Sequence, residues 1–242
     1  ILMALTEESD GVFQGGTIKF PTAPSDFESG VMRGRFNPHD GQLYVSGLRG
    51  WQTRAIRDGC FQRVRYTGAS VNLPIAVKTH VNGIQLTFTE PLNRDVAENA
   101  DNYFVAEWNY VYSGEYGSPD FSVTNPLEQG RDDVAVLSAT LLGDGRSVFL
   151  EMPKRSVVNQ ISIDYLLESA VGETFRGNYA HTINVEPKDV IPESQIVRRR
   201  RPTLVPEETL KRLRPGVEVQ FESTSSQVVD SRTSRLIALH QS

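Results

Sequence analysis

Residues 30–68 read GVMRGRFNPHDGQLYVSGLRG followed by WQTRAIRDGCFQRVRYTG, and the reading of this stretch decides the fold. Met32, Phe36, Leu43, Val45, Phe61, Val64 and Tyr66 supply the apolar and aromatic side chains that strands favour. Asn37-Pro38-His39-Asp40-Gly41 has the composition of a turn, because proline presets φ and Asp-Gly accepts tight or left-handed positions. Gly47 and Gly50 bracket a bend, and Asp58-Gly59 marks another turn. Three strands closed by two turns make most of a four-stranded blade, the repeating unit of a β-propeller.

Arginine dominates the polar content of this stretch. Seven arginines and no lysine lie between residues 33 and 65. Arg33 and Arg35 flank Gly34 at a spacing of two, so in a strand their side chains leave on one side. Arg63 and Arg65 repeat the arrangement, and Arg49 sits between two bends. Arginine suits planar, two-point contact with carboxylates and phosphates. One reading pairs these arginines with acids of neighbouring blades and stacks them on Trp51, Phe61 and Tyr66. The other brings Arg33 and Arg49 to the funnel where propellers bind ligands, with Trp51 beside them.

Outward from this stretch, residues 1–29 read as an apolar run, a turn at Gly15-Gly16, a short strand over 17–20 and a loop through Pro21 and Pro24. The opening run resembles a strand cut from a larger sheet. Residues 74–185 alternate repeatedly. Ile84, Leu86 and Phe88 alternate with polar neighbours, as do Ile161, Ile163, Tyr165 and Leu167, the pattern of strands with one buried face. Strands are expected over 134–142, 147–152, 160–167 and 175–185, with a hairpin turn at Gly143-Asp144-Gly145. A helical turn and a long aromatic strand are expected between 94 and 112. Some seven strands at this spacing predict an Ig-like sandwich. The expected division is 1–72 for terminal propeller blades, 73–186 for the sandwich, and 187–242 for a linker, a short helix near 206–214 and the start of a further β domain. The fold class is all-β, with a mostly irregular C-terminal tail.

Charge follows the same division. Residues 1–72 hold 8 Lys and Arg against 7 Asp and Glu, residues 73–186 hold 7 against 16, and residues 187–242 hold 10 against 7. Arg198 to Arg201 form a run of four. Without interleaved aromatic residues it reads as a linker patch resting on the acidic sandwich. Nucleic acid is not expected as a partner.

The stretch from Phe27 to Gly68 resembles the final blade of glucose/sorbosone dehydrogenase-like β-propellers. It is similar to a family of large secreted bacterial proteins that join such a propeller to an Ig-like domain and to c-type haem modules. The likeness is specific over residues 14–68 and looser to 183. TFTEPLNRDVAENADNYFV (87–105) resembles bacterial Ig-like domains. The resemblance implies a secreted or periplasmic protein whose remaining blades and flanking domains are partners of this segment. It implies that the parent holds pyrroloquinoline quinone or c-type haem, and by position Arg49 is the residue matching an arginine that holds the quinone. The family's catalytic histidine belongs to an early blade, so no catalytic residue is expected here. No Cys-x-x-Cys-His occurs, so no haem attaches to this stretch.

Other chemistry is sparse. Cys60 is the single cysteine and reads as a small packed hydrophobe. His39, His80, His181 and His240 lack metal-site spacing, so no metal ligand is assigned. Asp132-Asp133 and Asp144 lack the register of a calcium loop. No run approaches the roughly 18 apolar residues of a membrane span. Residues 112–133 form a long loop carrying Tyr112, Tyr116 and Phe121. These aromatics either dock on the propeller or make a stacking platform for carbohydrate, the alternative function being a binding or adhesion module without redox activity.

Overall fold

A computed structural model describes residues 2–20, 27–50, 55–114 and 116–199. It is all-β, built from antiparallel sheets of which none closes into a barrel. The chain opens with a hairpin of β1 (Leu2–Ser9) and β2 (Val12–Lys19). Asp10 and Gly11 make its two-residue turn, both at positive φ (51° and 77°). This is the geometry that matches the twist of paired strands, and Asp-Gly tolerates it.

Next comes a separate three-stranded sheet: β3 (Gly30–Phe36), β4 (Leu43–Leu48) and β5 (Gly59–Val64), paired in that order. Asn37 closes the first turn by accepting from the Gly41 and His39 N–H groups, through its carbonyl and its side chain. The three strands and two turns read from residues 30–68 therefore stand.

The remainder is β6 (Pro74–His80), β7 (Gly83–Phe88), a one-turn helix α1 (Arg94–Ala97), β8 (Tyr103–Tyr110), the short β9 (Asp120–Phe121) and β10 (Asp132–Asp133), β11 (Ser138–Leu141), β12 (Ser147–Glu151), β13 (Val158–Glu168) and β14 (Thr174–Ile183). Asn93 caps α1, its side chain accepting from the N–H groups of Asp95 and Val96. One sheet runs β1-β2-β14-β13-β8-β10, with β9 also on β8, and a second runs β11-β12-β7-β6. A single apolar core joins them, drawing Leu5 and Ile18 from the first hairpin, Ile84, Leu86 and Phe88 from β7, and Ile161, Ile163 and Leu167 from β13. The alternation read in β7 and β13 is this core face. Phe88, Tyr165 and Phe175 meet edge to face, with centroids 5.4–6.2 Å apart.

Two expectations about the opening residues are corrected. Gly15 and Gly16 are not a turn; they lie inside β2, opposite Thr6 and Leu5 on one side and Thr182 and His181 on the other. Residues 1–72 are also not one unit. β2 pairs with β14 across some 160 residues of sequence, Ile18 facing Tyr179 and Thr17 facing Ala180. The first twenty residues complete the core sheet, and the three-stranded sheet is an insertion between β2 and β6. The expected strand over 134–142 is shorter, and the 112–133 loop contains β9 and β10.

The first two arginines of the run, Arg198 and Arg199, rest on the acidic sheets, as their charge predicts. Arg198 forks between Glu151 and Glu193. Arg199 reaches Asp95 and Glu98 at 2.8 and 2.6 Å. Glu98 and Glu151 are buried carboxylates, and Arg198 holds Glu151 below the usual carboxylate range with help from the Ser138 hydroxyl. Buried charge is tolerated only when paired. Arg198→Ala with Arg199→Ala is therefore expected to lower the melting temperature at neutral pH. The gap from the wild type should narrow in acid, as Glu151 protonates and no longer needs its partner. Circular dichroism melts at pH 7 and pH 3.5 check this; equal melting at pH 7 would mean the strap bears no weight. Arg200, Arg201, the expected helix at 206–214 and the following strands lie outside the described residues.

Candidate functional site

The cross-strand register of the three-stranded sheet gives its two faces different chemistry. Arg35, Tyr44 and Arg63 form one rung, and Arg33, Ser46 and Phe61 the next. Directly paired residues share a face, and rungs two residues apart share it again. Arg33, Arg35 and Arg63 thus surround Tyr44 and Phe61, whose rings stack with centroids 5.7 Å apart and planes 27° apart. The other face carries Phe36, Leu43, Val45, Gln62, Cys60 and Val64 by the same register, and Val45 is its buried centre.

The arginine face is open. Phe61 is 75% exposed. Among the described residues, the Arg33 and Arg35 side chains donate only to the neighbouring carbonyls of Met32 and Gly34, at 2.8 Å. Among the described residues no carboxylate lies within ion-pair distance of Arg33, Arg35 or Arg63. The arginines of this sheet region that do pair are Arg49 with Asp58 (3.8 Å) and Arg57 with Glu28 (3.4 Å). Asp40 lies at the rim. Its carboxylate accepts from the Gln42 N–H and the Tyr44 hydroxyl (2.9 and 2.8 Å), and these bonds, with the nearby Arg63 charge, hold its pKa below the usual value. Three guanidinium groups beside an exposed aromatic stack can take an anion with a flat face.

The expected site residues therefore separate. Arg33 belongs to this face. Arg49 lies past the end of β4, engaged by Asp58 through both its backbone N–H and its side chain. Trp51 lies outside the described residues. Sequence spacing put Arg33 with Arg35, but only the register of β3 and β5 about β4 adds Arg63 and Phe61. The loop aromatics also part company. Tyr112 and Tyr116 are fully exposed and dock on nothing, whereas Phe121 is half-buried in β9, opposite Asn109.

A second cluster lies inside the core. The fully buried His181 ring has the Tyr179 hydroxyl 2.9 Å from Nδ1 and the Thr79 hydroxyl 2.9 Å from Nε2. Tyr179 donates its own proton to the Leu5 carbonyl, so it accepts from His181 Nδ1–H, and Nε2 accepts from Thr79. Glu7 accepts from the Thr79 backbone N–H and the Gln14 amide. The network pins β1, β6 and β14 together with every ring nitrogen satisfied, and it is closed to solvent. Asp132 and Asp144 spend their oxygens on local donors: Val123 and Thr124 N–H for the first, Arg146 and Ser147 N–H and the Ser147 hydroxyl for the second. Among the described residues no group of three His, Cys, Asp or Glu side chains is placed to hold a metal ion, and no helix is long and apolar enough to cross a membrane.

The fold and this face define the class of the molecule: an all-β protein of open antiparallel sheets, with an exposed arginine-aromatic surface on its smallest sheet. Comparison with known protein families, characterised proteins and solved structures finds no match to the chain.

Proposed function

We propose that this chain is a non-catalytic, pocket-completing segment of a secreted, sugar-dehydrogenase-like propeller protein. In this reading β3–β5 are a terminal blade, and the two larger sheets form an Ig-like spacer that carries it. One observation supports the reading above others. Among the described residues, the three-stranded sheet leaves the outer edges of β3 and β5 unpaired and turns three arginines without carboxylate partners to solvent. Unpaired edges and uncompensated cations on one small sheet suit a unit whose neighbours come from elsewhere in the parent.

The ligand class follows from the side chains. Guanidinium groups take carboxylates two-pointed, and Phe61 offers a ring to a planar face. Pyrroloquinoline quinone is a planar polycarboxylate, and Arg33, Arg35, Arg63 and Phe61 are the residues here that would hold its carboxylates and ring. When bound in the parent it would supply the redox chemistry, while these residues bind and orient it. Isothermal titration of the chain with pyrroloquinoline quinone tests this. Weak, salt-sensitive, saturable binding is expected, weakened at least tenfold by Arg35→Ala with Arg63→Ala and little changed by Arg49→Ala. Equal heats for the wild type and the Arg35/Arg63 variant would sink the proposal.

A further inference from the structure

A second surface lies on the outward face of the larger sheet, where β2, β14, β13 and β8 run side by side. It is a groove of about 1020 Å³, at the top of the size range of small-ligand sites. Its floor comes from three strands. Asp164 of β13 is paired with Asn178 of β14 on one side and with Phe104 of β8 on the other; Leu166 and Arg176 form the neighbouring rung. Phe104 is 56% exposed, on the stretch of β8 before the two residues that pair with β10.

The polar groups beside that ring are held in place. The Asn178 amide donates to Ser162 Oγ (2.7 Å) and Asp164 Oδ1 (2.9 Å), which fixes the amide plane and leaves its own carbonyl oxygen to accept. Asp164 keeps its second oxygen. Arg176 and Lys19 bring donors to the same groove, and Asp101 brings a further carboxylate. Two cations and two anions cancel, so nothing in the groove selects for a charged ligand. What remains is a flat apolar ring flanked by fixed acceptors and donors at strand spacing.

We propose that this groove binds a neutral oligosaccharide. A pyranose ring has an apolar face of C–H groups for Phe104 and Leu166. Its vicinal hydroxyls both donate and accept, matching Asp164 and Asn178 on one side and Arg176 on the other. A peptide strand would instead need an unpaired sheet edge, and the groove lies across paired strands. The proposal moves the sugar-binding expectation from the Tyr112–Phe121 loop to the sheet, and it stands independently of the arginine face.

The test is isothermal titration of the whole chain with three neutral hexasaccharides: cellohexaose, xylohexaose and chitohexaose. Saturable binding to at least one is expected, with little dependence on salt. Phe104→Ala and Asp164→Ala should each weaken it at least tenfold without lowering the melting temperature, Phe104 being exposed. Tyr112→Ala with Tyr116→Ala, and Arg35→Ala with Arg63→Ala, should leave it unchanged. No heat with any of the three sugars, or binding that survives Phe104→Ala, overturns the proposal. So does binding lost only in the Tyr112/Tyr116 variant.

Discussion

Gly16→Ala is expected to detach the first hairpin from the core sheet. A Cβ at position 16 would sit 1.5 Å from the Ala180 carbonyl oxygen and 2.8 Å from the His181 Cα, and both are backbone atoms that cannot swing aside. The adjacent Gly15 meets the Leu5 carbonyl in the same way. The only relief is separation of β2 from β14. That separation uncovers Ile18 and Leu5, each worth roughly 1.5–3 kcal/mol when buried. It also breaks the Tyr179–Leu5 bond and the Glu7 contacts to Thr79. A loss of at least about 3 kcal/mol follows, large against the ordinary stability of a domain. The same reasoning predicts that residues 74–186 expressed alone show no cooperative melt, since Tyr179 and Ile183 lose their cover. Thermal melts of both proteins decide it. A wild-type transition in Gly16→Ala, or a sharp one in the fragment, would refute the shared core.

Stability is also expected to fall by about 3 kcal/mol between pH 6.5 and pH 4, through His181. Burial pushes its pKa down from 6.5 to about 4, with the Glu7 charge opposing. The folded state keeps the ring neutral while the unfolded chain protonates below 6.5. Unfolding therefore takes up a proton in this window, and acid favours it. The contribution is complete above pH 6.5, shrinks as pH falls, and levels off below 4. His80, also pushed down by burial against Phe149, adds a loss of the same sign. Urea titrations at several pH values measure the slope. His181→Gln should flatten it, whatever it does to stability at pH 7. An unchanged slope would place the titrating group elsewhere.

The parts of this fold that were legible in the chain are those set by short-range pattern. Alternation exposed the buried faces of β7 and β13, and Gly143-Asp144-Gly145 marked the hairpin before β12. Arg198 and Arg199 announced their acidic resting place by charge alone. Asp10-Gly11 was an equally plain hairpin signal, overshadowed by Gly15-Gly16, whose missing side chains serve a close strand approach. The pairing of β2 with β14 leaves no local trace, because residues such as Ile18 and Tyr179 meet only in the folded sheet. Site legibility divides in the same way. Arg33 and Arg35 share a side by spacing within one strand. Phe61 joins them only through the register with β4, and the Phe104–Asp164–Asn178 rung needs three strands to exist.

The placement of the first hairpin sets the order of events as the chain leaves the ribosome. Its docking strand, β14, is made some 160 residues later. At a translation rate of roughly 5–20 residues per second, the nascent hairpin waits on the order of ten seconds with Leu5 and Ile18 uncovered. Contacts this distant in sequence also slow the final closure. Synthesis of this protein should therefore depend on chaperone capacity more than its size suggests, and slowing translation should worsen its yield rather than improve it.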